Sequence, residues 1–186
     1  MTSSHPTGDM SMPPAPIAAI VHDAPGGADA VLADFALRLR QAGWRVRGLV
    51  QLPRDNRLEG KRMTLVDLDD DGRHFRISQD LGSGARGCCL DPAGVSAASG
   101  VLRQVLAEGA DLAVANRFGT LEASGQGLAD EMLSLMAAGI PLLTVVNDRY
   151  LQEWRAFTGH AGVELEPRSE ALQAWFDGLG LQRSAA

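Results

Sequence analysis

Residues 17–30 read Ile17-Ala18-Ala19-Ile20-Val21-His22-Asp23-Ala24-Pro25-Gly26-Gly27-Ala28-Asp29-Ala30. Residues 17–21 are a continuous apolar run, as expected of a strand buried on both faces. A Gly-containing loop follows. Residues 29–42 then place Val31, Leu32, Phe35 and Leu39 on one helical face, and Gly43 ends the helix. Residues 44–51 alternate in part, with Val46 between Arg45 and Arg47, and read as the next strand. Strand, Gly-containing loop, helix and strand is how a phosphate-binding α/β domain begins. Such a loop needs a lysine ammonium on the β/γ-phosphates and then a Ser or Thr hydroxyl on magnesium. Here Asp29 stands where the lysine belongs and Ala30 where the hydroxyl belongs, and the only lysine in the chain is Lys61. The stretch predicts a nucleotide-hydrolase architecture stripped of its main phosphate-binding groups.

Beyond residue 51 the signals continue in the same style. A polar loop covers 53–60. Residues 63–68 and 73–78 read as paired strands joined by the turn Asp69-Asp70-Asp71-Gly72. Residues 80–94 are Gly-rich and irregular, 95–108 read as a second helix, and 112–115 as a short buried strand. A loop runs through Gly127, with a third helix over 128–138 and a strand over 141–146. The C-terminal part reads as a short helix (150–157), a short strand (163–165) and a final helix (169–176) with Ser169 as N-cap. This order predicts an α/β fold: a mainly parallel sheet with helices on both faces, P-loop-like with a degenerate phosphate loop. Residues 1–15 are polar and Ser/Pro/Gly-rich and read as a disordered tail, leaving 16–180 as a single domain.

A chain of 186 residues suits one such domain, and an apolar fraction of 45% with 22% charged is ordinary for a soluble globular protein. Seventeen basic against 23 acidic residues give a net charge of −6, which disfavours binding to nucleic-acid phosphates. No apolar run approaches the roughly 18 residues that span a bilayer, and the N-terminus lacks the pattern of a secretory signal. The expectation is a cytoplasmic protein with no membrane partner. Cys88 and Cys89 are adjacent and are the only cysteines, so they make no disulfide framework and lack the spacing of a structural zinc site.

The order of elements over about 17–176 resembles the small P-loop nucleoside-triphosphatases. More closely, the chain resembles an uncharacterised bacterial family related to them, a domain of unknown function often encoded beside molybdate-transport genes. The segments that carry the second resemblance are Ala33-Asp34-Phe35-Ala36-Leu37-Arg38-Leu39-Arg40, Arg76-Ile77-Ser78-Gln79-Asp80-Leu81-Gly82, Gly87-Cys88-Cys89-Leu90-Asp91-Pro92 and Asn116-Arg117-Phe118-Gly119-Thr120-Leu121-Glu122. Against the hydrolases, Pro25, Gly26, Gly119 and Glu122 match. A loop glycine is replaced by Ala28, the lysine by Asp29 and the magnesium-binding Thr by Ala30. The Asp-Glu pair that holds magnesium and the attacking water is replaced by Asn116 and Arg117. The resemblance implies the fold and argues against hydrolysis.

Asp29 at a helix N-terminus would sit at the positive end of the dipole, where anions bind. Its carboxylate would fill the place of a phosphate, and Arg117 at a neighbouring strand end would pair with it: a self-filled phosphate loop. The ordinary alternative makes Asp29 a simple first-turn residue.

The loop 116–127 collects Asn116, Arg117, Thr120, Glu122 and Ser124 after a strand end, where ligands of parallel α/β sheets gather. Hydroxyls, amides and a guanidinium there suit a small oxyanion such as molybdate or sulfate, although a plain polar loop has the same composition. Arg76, Ser78 and Gln79, with Ser83 and Arg86 in the glycine-rich stretch, form a second candidate anion nest, or a linker. His22 at a strand end reads as structural or ligand-touching. Asp67, Asp69, Asp71 and Gly72 match the first half of a calcium loop, but Ser78 stands where the bidentate glutamate is needed, so a hairpin turn is the better reading. Leu172, Trp175 and Phe176 give the final helix an apolar face for the core or for an oligomer.

These readings converge on a non-hydrolytic binding protein for a small oxyanion or nucleotide-like ligand. The tie to molybdenum comes from the resemblance alone, and no residue names a cofactor. The alternatives are an unorthodox nucleoside-triphosphatase, with Arg117 or Arg86 for phosphate charge and Glu122 as water-positioning group, and a ligand-free scaffold acting through protein contacts.

Overall fold

The computed structural model describes residues 16–24, 27–51, 63–78 and 91–183. A seven-stranded sheet forms the centre, in the order β4-β3-β2-β5-β6-β1-β7. Its strands are β1 (Ile17–His22), β2 (Val46–Gln51), β3 (Thr64–Asp67), β4 (His74–Arg76), β5 (Leu112–Ala115), β6 (Leu142–Asn147) and β7 (Val163–Leu165). The pairs β2–β5, β5–β6, β6–β1 and β1–β7 are parallel, and the hairpin β3–β4 adds an antiparallel edge to β2. The helices are α1 (Gly27–Gln41), α2 (Pro92–Glu108), α3 (Thr120–Ala123), α4 (Ala129–Ala137), α5 (Leu151–Phe157) and α6 (Ser169–Gly178). Among the described residues no helix is long and apolar enough to cross a membrane.

The expected architecture, with helices on both faces, is what the chain adopts. One core joins the sheet to α1 and α6 through Leu32, Phe35, Leu39, Leu172, Trp175 and Phe176, so the apolar face of the final helix is core. The other joins the opposite face to α2, α4 and α5 through Val95, Leu102, Met132, Leu135 and Trp154. The central strands are buried on both faces, which explains the apolar run 17–21 in β1 and the wholly apolar β5. Where β2 meets β5, Gly48 has φ of +121°, and a Cβ there would stand 2.1 Å from the Val114 carbonyl oxygen. Only glycine fits that approach.

Several boundaries differ from the sequence reading, for local reasons. The second helix starts at Pro92, not at 95: Asp91 caps it by accepting the Ala93 N–H at 3.0 Å, and proline suits the first helical position. The expected loop after β5 contains the short helix α3. Ser169 is the first residue of α6 rather than its cap; its Oγ accepts from Arg38 at 2.7 Å. In the β3–β4 turn the Asp67 and Asp69 carboxylates are engaged by the protein itself. Asp67 accepts the Asp69 N–H at 2.9 Å and pairs with Arg73 at 3.1 Å, and Asp69 pairs with Arg40 and Arg47. The hairpin reading holds there. The N-terminal tail 1–15, Pro25, Gly26, Lys61, Gln79, Ser83, Arg86, Cys88 and Cys89 lie outside the described residues.

Candidate functional site

The sheet connects to opposite faces on either side of one boundary. β1 runs into α1 on one face, while β5 and β6 run into α3, α4 and α5 on the other. Ligands of open α/β sheets bind outside the carboxyl ends of strands at such a switch. The residues at those ends are His22, Gln51, Asn116, Arg117, Asn147 and the segment after it.

Asp29 lies in the first turn of α1 and is 5% exposed. Its Oδ2 accepts from the Arg117 guanidinium at 2.5 Å, across 88 residues of sequence. The expected ion pair is therefore present: a carboxylate in the first turn of α1 is neutralised by an arginine from the end of β5. The pair is not fully satisfied. Asp29 Oδ1 and Arg117 Nε are buried and have no hydrogen-bond partner among the described residues.

The backbone holds Arg117 in place. Asn116 N–H donates to the Leu49 carbonyl at 3.2 Å, towards β2, while Phe118 N–H donates to the Val145 carbonyl at 3.0 Å, towards β6. Phe118 is buried against Trp154 and Phe157 at ring distances of 5.3 and 5.1 Å. The segment is thus anchored on both sides of Arg117, so little freedom remains to lose when a ligand is engaged.

Beside the pair is a cleft of about 240 Å³, lined by Gln51, Asn116, Arg117, Thr120, Asn147, Arg149 and Tyr150 on its polar side. Met63, Leu65, Ile77, Val95, Leu121 and Leu128 form its apolar side. Asn116 is 1% exposed, and neither its Nδ2 nor its Oδ1 has a partner among the described residues. Thr120 Oγ1 and Tyr150 OH are hydrogen-bonded at 2.5 Å, and the Arg149 guanidinium lies over the Tyr150 ring at 4.7 Å.

The groove at the start of α1, where a phosphate loop would hold its anion, has a different lining. Asp23 and Asp148 face it with His22, Gly27 and Ala28, and no lysine or arginine is among its described walls. His22 Nδ1 donates to the Ala24 carbonyl at 2.6 Å, which leaves Nε2 buried without a partner among the described residues. Loss of the lysine thus comes with a lining that repels anions.

Glu122 turns away from solvent. Its Oε2 accepts from Gly119 N–H and its Oε1 from Leu128 N–H, both at 3.0 Å, which ties the start of α3 to the start of α4. Burial raises its pKa above the ordinary glutamate range, against the opposing bonds from the Leu128, Glu122 and Gly119 N–H groups and the Arg117 charge. Gly127, at φ +65°, passes so close that a Cβ would stand 2.2 Å from Oε1. The structure makes Glu122 a loop brace.

Of the residues expected around a ligand, Asn116, Arg117, Thr120 and Glu122 line this cleft, and Asp29 reaches it through Arg117. Ser124 does not line it; its Oγ donates to the Leu121 carbonyl at 2.8 Å and is exposed. Arg76 donates to the Ser78 carbonyl at 3.1 Å and the Ser78 hydroxyl accepts from Met63 N–H at 2.9 Å, so that described part of the second nest is engaged internally. The sequence reading missed Gln51, Asn147, Arg149 and Tyr150. Their signal was position: each lies at or just past the carboxyl end of β2 or β6.

Comparison with known proteins adds three findings. The model of a family described as "Protein of unknown function (DUF2478)" matches residues 17–175. A relative from Bradyrhizobium diazoefficiens, named molybdenum import ATP-binding protein ModC 2, is 39% identical over 179 residues. That match takes in 94% of this chain but 20% of the relative, so the chain spans about a fifth of that protein's length. The solution structure of a human cancer-related nucleoside triphosphatase aligns with a TM-score of 0.59 at 17% identity, covering 85% of this chain and 94% of the other. At that identity the likeness is one of fold.

Proposed function

The chain belongs to the DUF2478 family of proteins of unknown function, and from that premise we propose that it is a non-hydrolytic binding module for a small oxyanion or nucleotide-like ligand. The observation that carries this is Asn116: a 1%-exposed amide at a cleft, with both polar atoms unpartnered among the described residues. Buried polar groups are nearly always hydrogen-bonded, and the exceptions point to a missing partner. A ligand in the cleft would supply it, beside the arginines Arg117 and Arg149. Molybdenum supply is the setting that the relative's name suggests, and molybdate is the first oxyanion to test.

The hydrolytic alternative has less support. The lysine position carries Asp29, the groove at α1 presents carboxylates, and Glu122 spends both oxygens on backbone N–H groups.

The test is a thermal-shift panel on the purified chain with molybdate, tungstate, sulfate, phosphate, Mg-ATP and Mg-GTP. A ligand at a hundredfold excess over its dissociation constant stabilises the native state by about 2.7 kcal/mol, a readable shift. A shift with any of them that disappears in Arg117→Gln or Asn116→Leu supports the reading. Magnesium-dependent turnover of nucleotide, lost in Glu122→Gln, would replace it with a hydrolase. Silence throughout would favour a scaffold that acts through protein contacts.

A further inference from the structure

We propose that the cleft is built for a planar, nucleobase-type ring that offers a hydrogen-bond donor beside an acceptor, with Asn116 as the residue that reads that edge. The inference rests on the cleft being a binding site and narrows what enters it.

The chemistry of the orphan side chain carries the argument. A carboxamide presents one acceptor oxygen and one donor NH₂ side by side, and both Asn116 atoms lack a partner among the described residues. This holds for either assignment of the amide oxygen and nitrogen. A fully deprotonated tetrahedral oxyanion such as molybdate or sulfate has acceptors only. It would satisfy Nδ2 but place its own lone pairs against Oδ1, leaving that oxygen unmatched and repelled. A ring edge with an N–H or exocyclic amine next to a ring nitrogen or carbonyl satisfies both atoms, which is why asparagine pairs bidentately with such edges elsewhere.

The surroundings agree. Met63, Leu65, Ile77 and Val95 give the cleft an apolar wall, which gains from covering a ring face and gives an inorganic anion only desolvation. Of the two arginines that line the cleft, Arg117 already carries Asp29 as its counter-ion at 2.5 Å, so it has little charge to offer an anion. A volume of about 240 Å³ is smaller than the roughly 300–1,000 Å³ of whole-ligand pockets, which suits a ring with the rest of the molecule outside. Arg149, exposed at the rim and lying over Tyr150, is placed to meet an anionic tail.

The experiment is calorimetric titration of the full chain with adenosine, inosine, guanosine and purine riboside, and with molybdate and phosphate in parallel. Purine riboside has the ring but no donor on its base edge. The expected result is saturable binding of at least one amino- or oxo-purine nucleoside, about tenfold or more tighter than purine riboside. In Asn116→Leu that preference should vanish, while Arg47→Met, remote from the cleft, keeps it. Because the ligand comparison needs no variant, it stands even where Asn116→Leu folds poorly. Equal affinity for purine riboside, or a preference untouched in Asn116→Leu, would overturn the inference. Molybdate or phosphate binding lost in Arg117→Gln, with no nucleoside bound, would overturn it while leaving the binding-module reading in place. No binding by any of these compounds would remove both.

Discussion

The two ends of the parallel strands treat their polar groups in opposite ways. At the amino ends, Arg47 lies between Asp69 and Glu108, Arg40 reaches Asp69 at 2.8 Å, and Asp111 accepts the Arg45 N–H at 2.8 Å. None of these side chains is among the buried groups that lack a partner. Of the five described residues that keep a buried atom unpartnered, four, His22, Asp29, Asn116 and Arg117, are at the carboxyl ends; the fifth, Trp154, has its Nε1 beside Gly162, ahead of β7. A folded chain has no reason of stability to leave such atoms bare, since each costs on the order of 1–3 kcal/mol. The satisfied end therefore reads as scaffold and the unsatisfied end as the place where something binds, even though both are rich in arginine.

Four measurements bear on that contrast. The largest effect is expected for Arg117→Met, which strands the buried Asp29 carboxylate. Urea denaturation should show a loss of about 3 kcal/mol, with much of it recovered when Asp29→Ala is added. An additive pair would mean that the two charges are not coupled. Next in size, Asn116→Leu should raise stability in the absence of ligand by about 1.5 kcal/mol, because it replaces an unpaired amide with an apolar group of similar volume. A clear loss instead would show that Asn116 is already satisfied and that the two ends do not differ as described. Arg47→Met at the satisfied end should cost about 1 kcal/mol, and less at high salt, since Asp69 is partly exposed.

The smallest effect is in the response to pH, where the ends should have opposite signs. Burial works to raise the Asp69 pKa, but hydrogen bonds and charge from Arg47 and Arg40 win and hold it below the usual aspartate value. Its contribution is present above the unfolded pKa and is lost as pH falls through the lowered folded one. The raised pKa of Glu122, caused first by burial, acts the other way: its contribution is full below the ordinary glutamate pKa and is lost as pH rises through the elevated one. Urea midpoints followed from about pH 3 to about pH 8 should lose their acid-side slope in part in Arg47→Met and their neutral-side slope in part in Glu122→Gln. Unchanged profiles in both variants would remove this part of the contrast.

Much of the frame was legible in the residues, because strands buried on both faces leave unbroken apolar runs and amphipathic helices leave a periodic face. The Asp29–Arg117 pair was legible as well, as an acid in a helix's first turn and a base past a strand end, although β6 separates that strand from β1. The start of α2 at Asp91-Pro92 was written in plain capping chemistry and was passed over in favour of the apolar periodicity that begins at Val95. The cleft was legible in part: Asn116, Arg117, Thr120 and Glu122 follow one strand and were expected together, whereas Gln51, Asn147, Arg149 and Tyr150 come from the ends of two other strands, and nothing in the spacing foretells that they join them. Nor does composition reveal that an asparagine is buried without a partner, because that is a property of the packed molecule.

The position of β1 in the sheet has a consequence for the order of events during synthesis. Among the described strands β1 is made first, yet both of its neighbours, β6 and β7, follow more than a hundred residues later. The strands β2, β3, β4 and β5 pair among themselves, and one half of the sheet is complete by residue 115. β1 must wait, unpaired, until Leu142–Asn147 arrives and wedges between it and β5. Long-range parallel pairing of this kind is intrinsically slow, because loop closure is met before any contact rewards it. The first-made strand of this sheet is thus among the last to be housed, and a chain cut short before residue 142 would leave it without the β6 partner.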